Sequence, residues 1–147
     1  MIEFNSSITI QRPPEPIFAF LANIHTLQQS GGSPVLSMEE LTPGPPGPGF
    51  KYREVVQMFP FYKGEFLSEI TSFEPPRFLE LTWTGPAMIG TDRYRLTPVK
   101  GATQLQHTKC VSSPGLLRLM EPIMRMQLFP RLEARLGEIK RGLEAAT

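Results

Sequence analysis

Three polar residues in the second half of the chain have the types and spacing to transfer protons. Asp92 precedes the turn Lys100-Gly101, and His107 and Lys109 follow it. A two-residue turn there places Asp92 opposite Lys109, and residues paired across an antiparallel ladder point to the same face. A histidine suits acid–base catalysis near neutral pH, a carboxylate can tune it, and a lysine can polarise a carbonyl. The three residues are therefore candidate catalytic residues.

The same turn indicates which face of these two strands is buried. It pairs Leu96 with Leu105 and Tyr94 with His107. Because leucines that lie opposite each other belong in the core, the whole row is predicted to point inward. Tyr94 and His107 are therefore expected inside the protein, together with Asp92.

A second turn, at Pro75-Pro76, extends the predicted inner face by setting Ser68 opposite Trp83. In the preceding strand, Tyr52 and Glu54 share one face because side chains alternate with a period of two. A polar group in an apolar interior is costly unless it is paired, so each one requires an explanation. The predicted ligand-binding residues on this face are Tyr52, Glu54, Ser68, Trp83, Asp92, Tyr94 and His107.

Alternating hydropathy and tight connections predict seven strands in an antiparallel arrangement. A helix with an apolar face follows the first strand and opens at Pro13-Pro14-Glu15-Pro16, because proline fits the first helical turn. A second short helix is predicted over His25 to Gln29. The predicted strands cover residues 2–11, 34–41, 49–58, 62–73, 77–84, 88–98 and 102–111.

The last third of the chain predicts one amphipathic helix of about 28 residues, roughly 42 Å long. Ser113-Pro114 resembles an N-cap followed by a proline at the first helical position. Met120 and Ile123 are predicted to line the ligand site. Met58, Met88, Met124 and Met126 would add adaptable walls. The predicted apolar face consists of Leu116, Leu119, Ile123, Met126, Phe129, Leu132, Leu136, Ile139 and Leu143.

An antiparallel sheet with one apolar face requires a cover, and only the C-terminal helix is long enough to supply it. A curved sheet folded around one helix leaves a concave apolar space, a usual setting for a small-molecule site. The predicted fold is α+β in a single domain over residues 1–147. A curved antiparallel seven-stranded sheet wraps around the C-terminal helix, and two short helices lie between strands 1 and 2.

Several short motifs occur along the chain in an informative order. They are Ile8-Thr9-Ile10, Pro14-Glu15-Pro16-Ile17-Phe18-Ala19-Phe20-Leu21, Gly47-Pro48-Gly49-Phe50-Lys51-Tyr52, Phe73-Glu74-Pro75-Pro76-Arg77, Tyr94-Arg95-Leu96-Thr97-Pro98 and Leu136-Gly137-Glu138-Ile139-Lys140-Arg141-Gly142-Leu143-Glu144. Over essentially the whole chain they resemble the helix-grip superfamily of START domains, Bet v 1-like allergens and polyketide cyclase/dehydratase-like proteins. The resemblance implies a helix-grip fold. It leaves the function open among lipid carriers, hormone receptors, cyclases, co-chaperones and quinone-binding proteins.

Composition excludes several classes of function. The chain has 147 residues with 15 basic and 14 acidic side chains, and a net charge of +1 gives no reason to expect nucleic acid as a partner. The single cysteine, Cys110, excludes an intrachain disulfide and is predicted on the face opposite His107. Two histidines and one cysteine offer no metal-ligand spacing, and no cofactor motif is found.

The predicted location is the cytoplasm, since no signal peptide and no apolar run near the ~18–20 residues of a membrane span is found. On the C-terminal helix, basic and acidic side chains interleave, which predicts a solvated outer face. The basic residues concerned are Arg118, Arg125, Arg131, Arg135, Lys140 and Arg141.

Three interpretations of the inner polar residues remain open. In a structural one, Asp92 and Lys109 form a cross-strand ion pair and Tyr94 packs on a satisfied His107. In a binding one, these groups orient a mostly apolar ligand such as a lipid, quinone or polyketide-like molecule. In a catalytic one, His107 acts as the acid or base of a cyclase or dehydratase, with Asp92 or Glu54 tuning it and Lys109 assisting.

A protein-interaction module is a further alternative. Val55 and Leu67 are predicted to face outward, and Phe59-Pro60-Phe61-Tyr62 forms an aromatic hairpin tip. This tip could act as a lid over the cavity, contact a membrane surface or seat the partner of a homodimer.

Overall fold

The computed structural model describes residues 2–23, 35–59, 62–86, 88–112, 119 and 121–145. The short helix predicted over His25 to Gln29, the N-cap at Ser113-Pro114 and the ligand-site residue Met120 lie outside the described residues. The side chain of Ile123 and the tip of the predicted aromatic hairpin lie outside them as well.

The described elements follow the predicted order. In chain order they are β1 (Ile2–Ile10), α1 (Pro14–Ala22), β2 (Val35–Glu40), β3 (Lys51–Phe59), β4 (Tyr62–Glu74), β5 (Phe78–Thr84), β6 (Ile89–Val99), β7 (Ala102–Ser112) and α2 (Glu121–Ala145).

The seven strands form one antiparallel sheet in the order β1-β7-β6-β5-β4-β3-β2. Strands β2 to β7 are therefore a meander in which each strand pairs with the next. Strand β1 is added beside β7, so β1 and β2 form the two edges of an open sheet. Among the described residues, a short helix follows the first strand and a long one follows the last. This arrangement is consistent with a helix-grip fold.

The predicted hairpin registers are confirmed. Asp92 pairs with Lys109 and Tyr94 pairs with His107 across β6 and β7. Trp83 of β5 pairs with Ser68 of β4 across the second turn. Alternate residues of β6 and β7 are buried, so the two turns and the apolar period together fix the inner face.

Helix α1 begins at Pro14, where the missing N–H of proline costs no helical hydrogen bond. Its residues Ile17, Phe18 and Leu21 are buried at helical spacing. They belong to the main core, which joins α1 and the inner face of the sheet to Leu136 and Ile139 of α2. The ring of Phe18 packs edge-to-face on a phenylalanine ring of β4, with centroids 5.3 Å apart.

The C-terminal end of α2 is fastened to the end of β1. Lys140 Nζ donates to the carbonyl of Thr9 at 2.5 Å, and the backbone N–H of Gln11 donates to Glu144 Oε2 at 2.7 Å. The guanidinium of Arg12 donates to the backbone carbonyl of Glu144. These contacts hold the last apolar turns of α2 on the sheet.

The predicted apolar face of the C-terminal segment is wrong at two positions. Leu119 and Met126 are each 78% exposed. The predicted apolar residues recur on average every ~3.4 residues, fewer than the 3.6 of a helical turn, so the stripe winds around the helix axis. At ~100° per residue, Met126 lies ~80° from Leu136, which is 3% exposed.

Candidate functional site

Asp92 is the centre of a buried hydrogen-bonded cluster. His107 Nε2 lies 2.8 Å from Asp92 Oδ1, and Trp83 Nε1 donates to Oδ2 at 3.0 Å. Lys109 Nζ donates to both carboxylate oxygens, at 3.2 and 3.3 Å. Two carboxylate oxygens offer about four acceptor positions, so these contacts fill the carboxylate. We call Trp83, Asp92, His107 and Lys109 the Asp92 cluster.

The Asp92 cluster keeps its carboxylate ionised. Burial alone would raise the pKa of Asp92, but the charge of Lys109 and the hydrogen bond and charge of His107 hold that pKa well below its usual range. An ionised carboxylate can only accept hydrogen bonds, so His107 Nε2 is the donor in this pair. The proton between Asp92 and His107 therefore belongs to the histidine.

Two aromatic side chains hold this cluster in place. Tyr94 stacks on His107 with centroids 4.5 Å apart and planes inclined by 6°. Trp83 lies directly opposite Gly90 on the neighbouring strand, and a Cβ at Gly90 would come within 2.2 Å of the indole. The absence of a side chain at position 90 is therefore what lets the indole lie across this strand and reach Asp92.

A second polar group, the Glu54 cluster, consists of Tyr52, Glu54 and Ser68 on β3 and β4. These residues are 1%, 6% and 4% exposed. Tyr52 hydrogen-bonds to Ser68 and to Glu54 through its side chain. Burial raises the pKa of Glu54 against the opposing effects of Tyr52, Arg135 and Lys109. Burial likewise raises the pKa of Tyr52, so its phenol stays neutral.

The structure brings most predicted site residues to one face. Asp92, His107 and Tyr94 are buried, at 8%, 6% and 6% exposure, and Trp83 is partly buried. The side chain of Lys109 is 23% exposed, which places its ammonium at the border of the buried region. Met88 packs with Trp83 against a separate small core of Ile2, Phe4 and Val111, at the same end of the sheet.

Arg135 is the site residue that sequence reasoning missed. The interleaved charges predict it on the solvated face of the helix, yet it is partly buried beside Leu136. Its charge lowers the pKa of Glu54 and of Tyr94, which belong to β3 and β6 of the inner face. The signal available in the sequence is its position directly before a core leucine, at the border of the apolar stripe.

The outer face of the sheet carries an open groove of about 420 Å³ across β1, β7, β6 and β5, and its lining includes His107. Its walls are mainly polar, and Arg93 is bound to Glu80 at 2.8 Å. Arg95 lies over the ring of Phe78 at 5.0 Å. Leu67 is 47% exposed on this outer side, whereas Val55 is partly buried.

Neither a cluster of metal-ligating side chains nor a membrane-spanning helix is found in the part of the chain that the structure describes. Histidine, cysteine, aspartate and glutamate side chains form no group of three or more that could hold a metal ion there. Cys110 pairs with Thr91, which places its thiol on the face opposite His107, as predicted. Among the described helices, none is long and apolar enough to cross a membrane.

Comparisons with known proteins agree with this fold. A family model described as polyketide cyclase / dehydrase and lipid transport matches residues 1–144. The crystal structure of TTHA0849 from Thermus thermophilus is similar, with a TM-score of 0.80 at 17% identity, covering 99% of this chain and 100% of that one. The crystal structure of DR_A0006 from Deinococcus radiodurans has a TM-score of 0.71 at 17% identity, covering 100% of both chains.

A conserved protein from Geobacillus kaustophilus gives a TM-score of 0.70 at 20% identity, covering 95% of this chain and 96% of that one. No curated protein sequence matches the chain. At these identities the structural likeness shows the fold, and it confirms the predicted fold class.

Proposed function

Because the chain belongs to the polyketide cyclase/dehydrase and lipid transport family, we propose that it binds a small hydrophobic or amphipathic ligand between the sheet and α2. The ligand class is a lipid, a quinone or a polyketide-like molecule. The observation that carries this proposal is the set of buried polar side chains on an otherwise apolar inner face. A few placed polar groups among apolar walls are typical of sites that orient such ligands.

The chemistry of these side chains fits ligand binding. Tyr52 and Tyr94 have raised pKa values, so both phenols stay neutral; the hydroxyl of Tyr94 can donate to a ligand oxygen, and that of Tyr52 can accept from a ligand donor. Glu54 and Ser68 add two more buried polar groups. Burial of polar groups is costly unless they are hydrogen-bonded, and a ligand that supplies partners offsets that cost. The proposed binding residues are Tyr52, Glu54, Ser68, Trp83, Asp92, Tyr94, His107, Met120 and Ile123.

The first test is native mass spectrometry of the freshly purified protein, beside analysis of its organic extract. We expect a stoichiometric co-purifying mass of lipid, quinone or polyketide type. A protein that purifies empty and then fails to bind the neutral probe N-phenyl-1-naphthylamine would contradict the proposal.

Substitution of the inner aromatic residues tests where the ligand binds. Trp83→Ala and Tyr94→Ala should each weaken probe binding by more than ~1 kcal/mol, about fivefold, because each removes a large aromatic contact. Phe78→Ala is the matched control, since this ring lies on the outer face against Arg95. Normal folding with unchanged affinity in both inner variants would show that the ligand binds elsewhere.

A second candidate function is that of a polyketide cyclase/dehydratase-like enzyme, and the 2.8 Å contact between His107 and Asp92 favours it. With Nε2–H donated to an ionised Asp92, a neutral imidazole keeps Nδ1 as the nitrogen that accepts a proton. Asp92 orients the ring rather than reacting, because its acceptor positions are filled. Lys109 would assist only by charge from the border of the site.

His107→Gln separates the two functions. A carrier should keep its affinity for N-phenyl-1-naphthylamine within about twofold, because the amide can still donate to Asp92. If this variant instead loses conversion of a bound polyketide-like substrate while probe affinity is unchanged, the enzyme function is favoured. The control is Lys109→Gln, which removes a cation from beside Asp92 but leaves the imidazole in place.

A further inference from the structure

Lys109 is a cation of the inner face that lies between a polar cluster and an apolar one. Across the sheet it pairs with Asp92 of β6 on one side and with Phe4 of β1 on the other. Residues paired in this way point to the same face. Phe4 is 3% exposed and belongs to the small core against which Trp83 packs. A ligand that contacts this small core therefore has the side chain of Lys109 beside it.

The contacts of Lys109 leave part of its ammonium group unused. An ammonium has three N–H donors. Nζ donates to the two carboxylate oxygens of Asp92, at 3.2 and 3.3 Å, and these contacts use at most two of the three. Among the residues that the structure describes, Lys109 has no other hydrogen-bond acceptor. Its side chain is 23% exposed, so the remaining N–H lies at the border of the buried region.

The indole of Trp83 supplies an apolar wall next to this donor. Lys109 Nζ lies 5.2 Å from the centroid of the ring. The single N–H of the indole is already donated to Asp92, so the ring has no donor left for a ligand. A ligand that packs beside Trp83 therefore meets an apolar surface and the ammonium of Lys109.

The charge of Lys109 is already compensated. The ionised carboxylate of Asp92 lies at contact distance from the ammonium. Glu54 also interacts with the charge of Lys109, and it adds no positive charge in either protonation state. Moving a ligand carboxylate out of water is costly, and a cation that is already paired repays little of that cost. An uncharged oxygen avoids most of this cost and can still accept the remaining N–H.

We propose that Lys109 donates its remaining N–H to an uncharged carbonyl oxygen of the ligand and, through its pairing with Asp92, disfavours carboxylates at the same place. This inference rests on the proposed function and narrows its ligand class to ketones, quinones and esters with an apolar body. A hydrogen bond from a charged donor is stronger than one from a neutral donor. Lys109 is thus the residue that determines head-group specificity, while the indole and the small core contact the apolar body.

Three naphthalenes of similar size test the preference in the unmodified protein. 2-Acetylnaphthalene carries a ketone, 2-naphthoate carries a carboxylate at pH 7.4, and 2-ethylnaphthalene carries no oxygen. Each competes against N-phenyl-1-naphthylamine. We expect the ketone to bind at least tenfold more tightly than the carboxylate. Equal affinities, or tighter binding of the carboxylate, would overturn the inference and leave the proposed function standing. Failure to bind the probe or any of the three ligands would overturn both.

Lys109→Met then assigns the carbonyl contact to this residue, because methionine keeps an apolar side chain and has no N–H donor. The variant should lose at least tenfold in affinity for 2-acetylnaphthalene and change by less than twofold for 2-ethylnaphthalene. Lys100→Met, at an exposed lysine in the turn of the same hairpin, is the matched control and should change neither. An equal loss for both ligands in Lys109→Met would overturn the inference.

Infrared spectroscopy of the wild-type complex keeps the inference testable if Lys109→Met does not fold. The ligand is 2-acetylnaphthalene with an isotope label at its carbonyl carbon. A hydrogen bond from an ammonium weakens the C=O bond, so the bound ligand should absorb at a lower frequency than the same ligand in hexane. A band at the hexane frequency would show that no donor reaches the oxygen, and would overturn the inference while the proposed function stands.

Discussion

Asp92 on β6 and Glu54 on β3 are buried to nearly the same extent, at 8% and 6% exposure, and both belong to the inner face of one sheet. Their surroundings differ. Asp92 accepts hydrogen bonds from an imidazole, an ammonium and an indole, whereas the strongest opposition to burial at Glu54 comes from the neutral phenol of Tyr52. The pKa of Asp92 is consequently lowered and that of Glu54 is raised.

The difference shows that burial alone does not decide the charge of a carboxyl group. Burial opposes ionisation at both positions, and only where donors and a cation surround the oxygens is that cost overcome. Asp92 thereby becomes a fixed structural anion. At Glu54 burial is not overcome in this way, and its pKa is raised. The two clusters thus differ in the charge that the inner face favours at each carboxyl group.

Removing the charge of Asp92 should produce the largest effect. Asp92→Asn leaves Lys109 and His107 without an anionic partner, so we expect a loss of about 3 kcal/mol or more in the free energy of unfolding at pH 7. Urea denaturation measures it. The control is Glu80→Gln, which breaks the exposed pair with Arg93 and should cost less than about 1 kcal/mol. Equal losses in the two variants would remove the distinction between a rigid cluster and a surface pair.

Gly90→Ala should give an intermediate effect. The new methyl group would lie 2.2 Å from the indole of Trp83 and 2.6 Å from the carbonyl oxygen of Cys110. Overpacking of this kind costs about 1–3 kcal/mol. Trp83 is the only tryptophan, so its emission reports the displacement directly. Gly47→Ala, where a Cβ meets nothing within 4 Å, is the control. An unshifted emission spectrum in Gly90→Ala would mean that Gly90 does not position the indole.

Glu54→Gln should produce the smallest change in the free energy of unfolding, and this change should depend on pH. The pKa of Glu54 is raised in the folded state. As pH rises above the ordinary glutamate pKa of about 4.3, this carboxyl group therefore loses its proton in the unfolded chain before it does so in the folded one. Wild-type stability therefore falls through this window, and the variant should gain relative to it. At pH 7 we expect a difference of about 1 kcal/mol or less in favour of glutamine.

The contribution of Asp92 to stability should change with pH in the opposite direction. Its lowered pKa stabilises the fold above about pH 3.9, and this contribution is lost as pH falls toward the folded value. Unfolding free energies of wild type, Glu54→Gln and Asp92→Asn between about pH 3 and 7 test both directions. A Glu54→Gln profile that runs parallel to wild type would show that the pKa of Glu54 is not raised.

The Asp92 cluster was predictable from the sequence and Arg135 was not, for a physical reason. A two-residue turn fixes every pair along its hairpin, so Lys100-Gly101 alone sets Asp92 against Lys109. A helix has no such reference point. Its rotation depends on packing, and a small angular change moves a residue at the border of the apolar stripe between solvent and core. Among the side chains of α2 that the structure describes, Arg135 and Met126 show this ambiguity, in opposite directions.

The way that Trp83 reaches Asp92 was also beyond the sequence. Strand register predicts that Trp83 lies opposite Ser68 and Gly90, but not that the indole lies across the glycine. Side-chain rotamers follow from local packing, which hydropathy patterns do not describe. The protein family and the inner face thus follow from pattern alone, whereas the hydrogen bonds within that face depend on side-chain packing.

The attachment of α2 to β1 through Lys140, Glu144 and Arg12 has a mechanical consequence. Because these contacts lie at the C-terminal end of the helix, a tilt about them would pivot at that end. From Glu144 back to Glu121 the helix rises about 34 Å, so a tilt of about 10° at the pivot would carry the far end through roughly 6 Å. Any tilt about this attachment would therefore displace the helix most at Glu121 and least at Glu144.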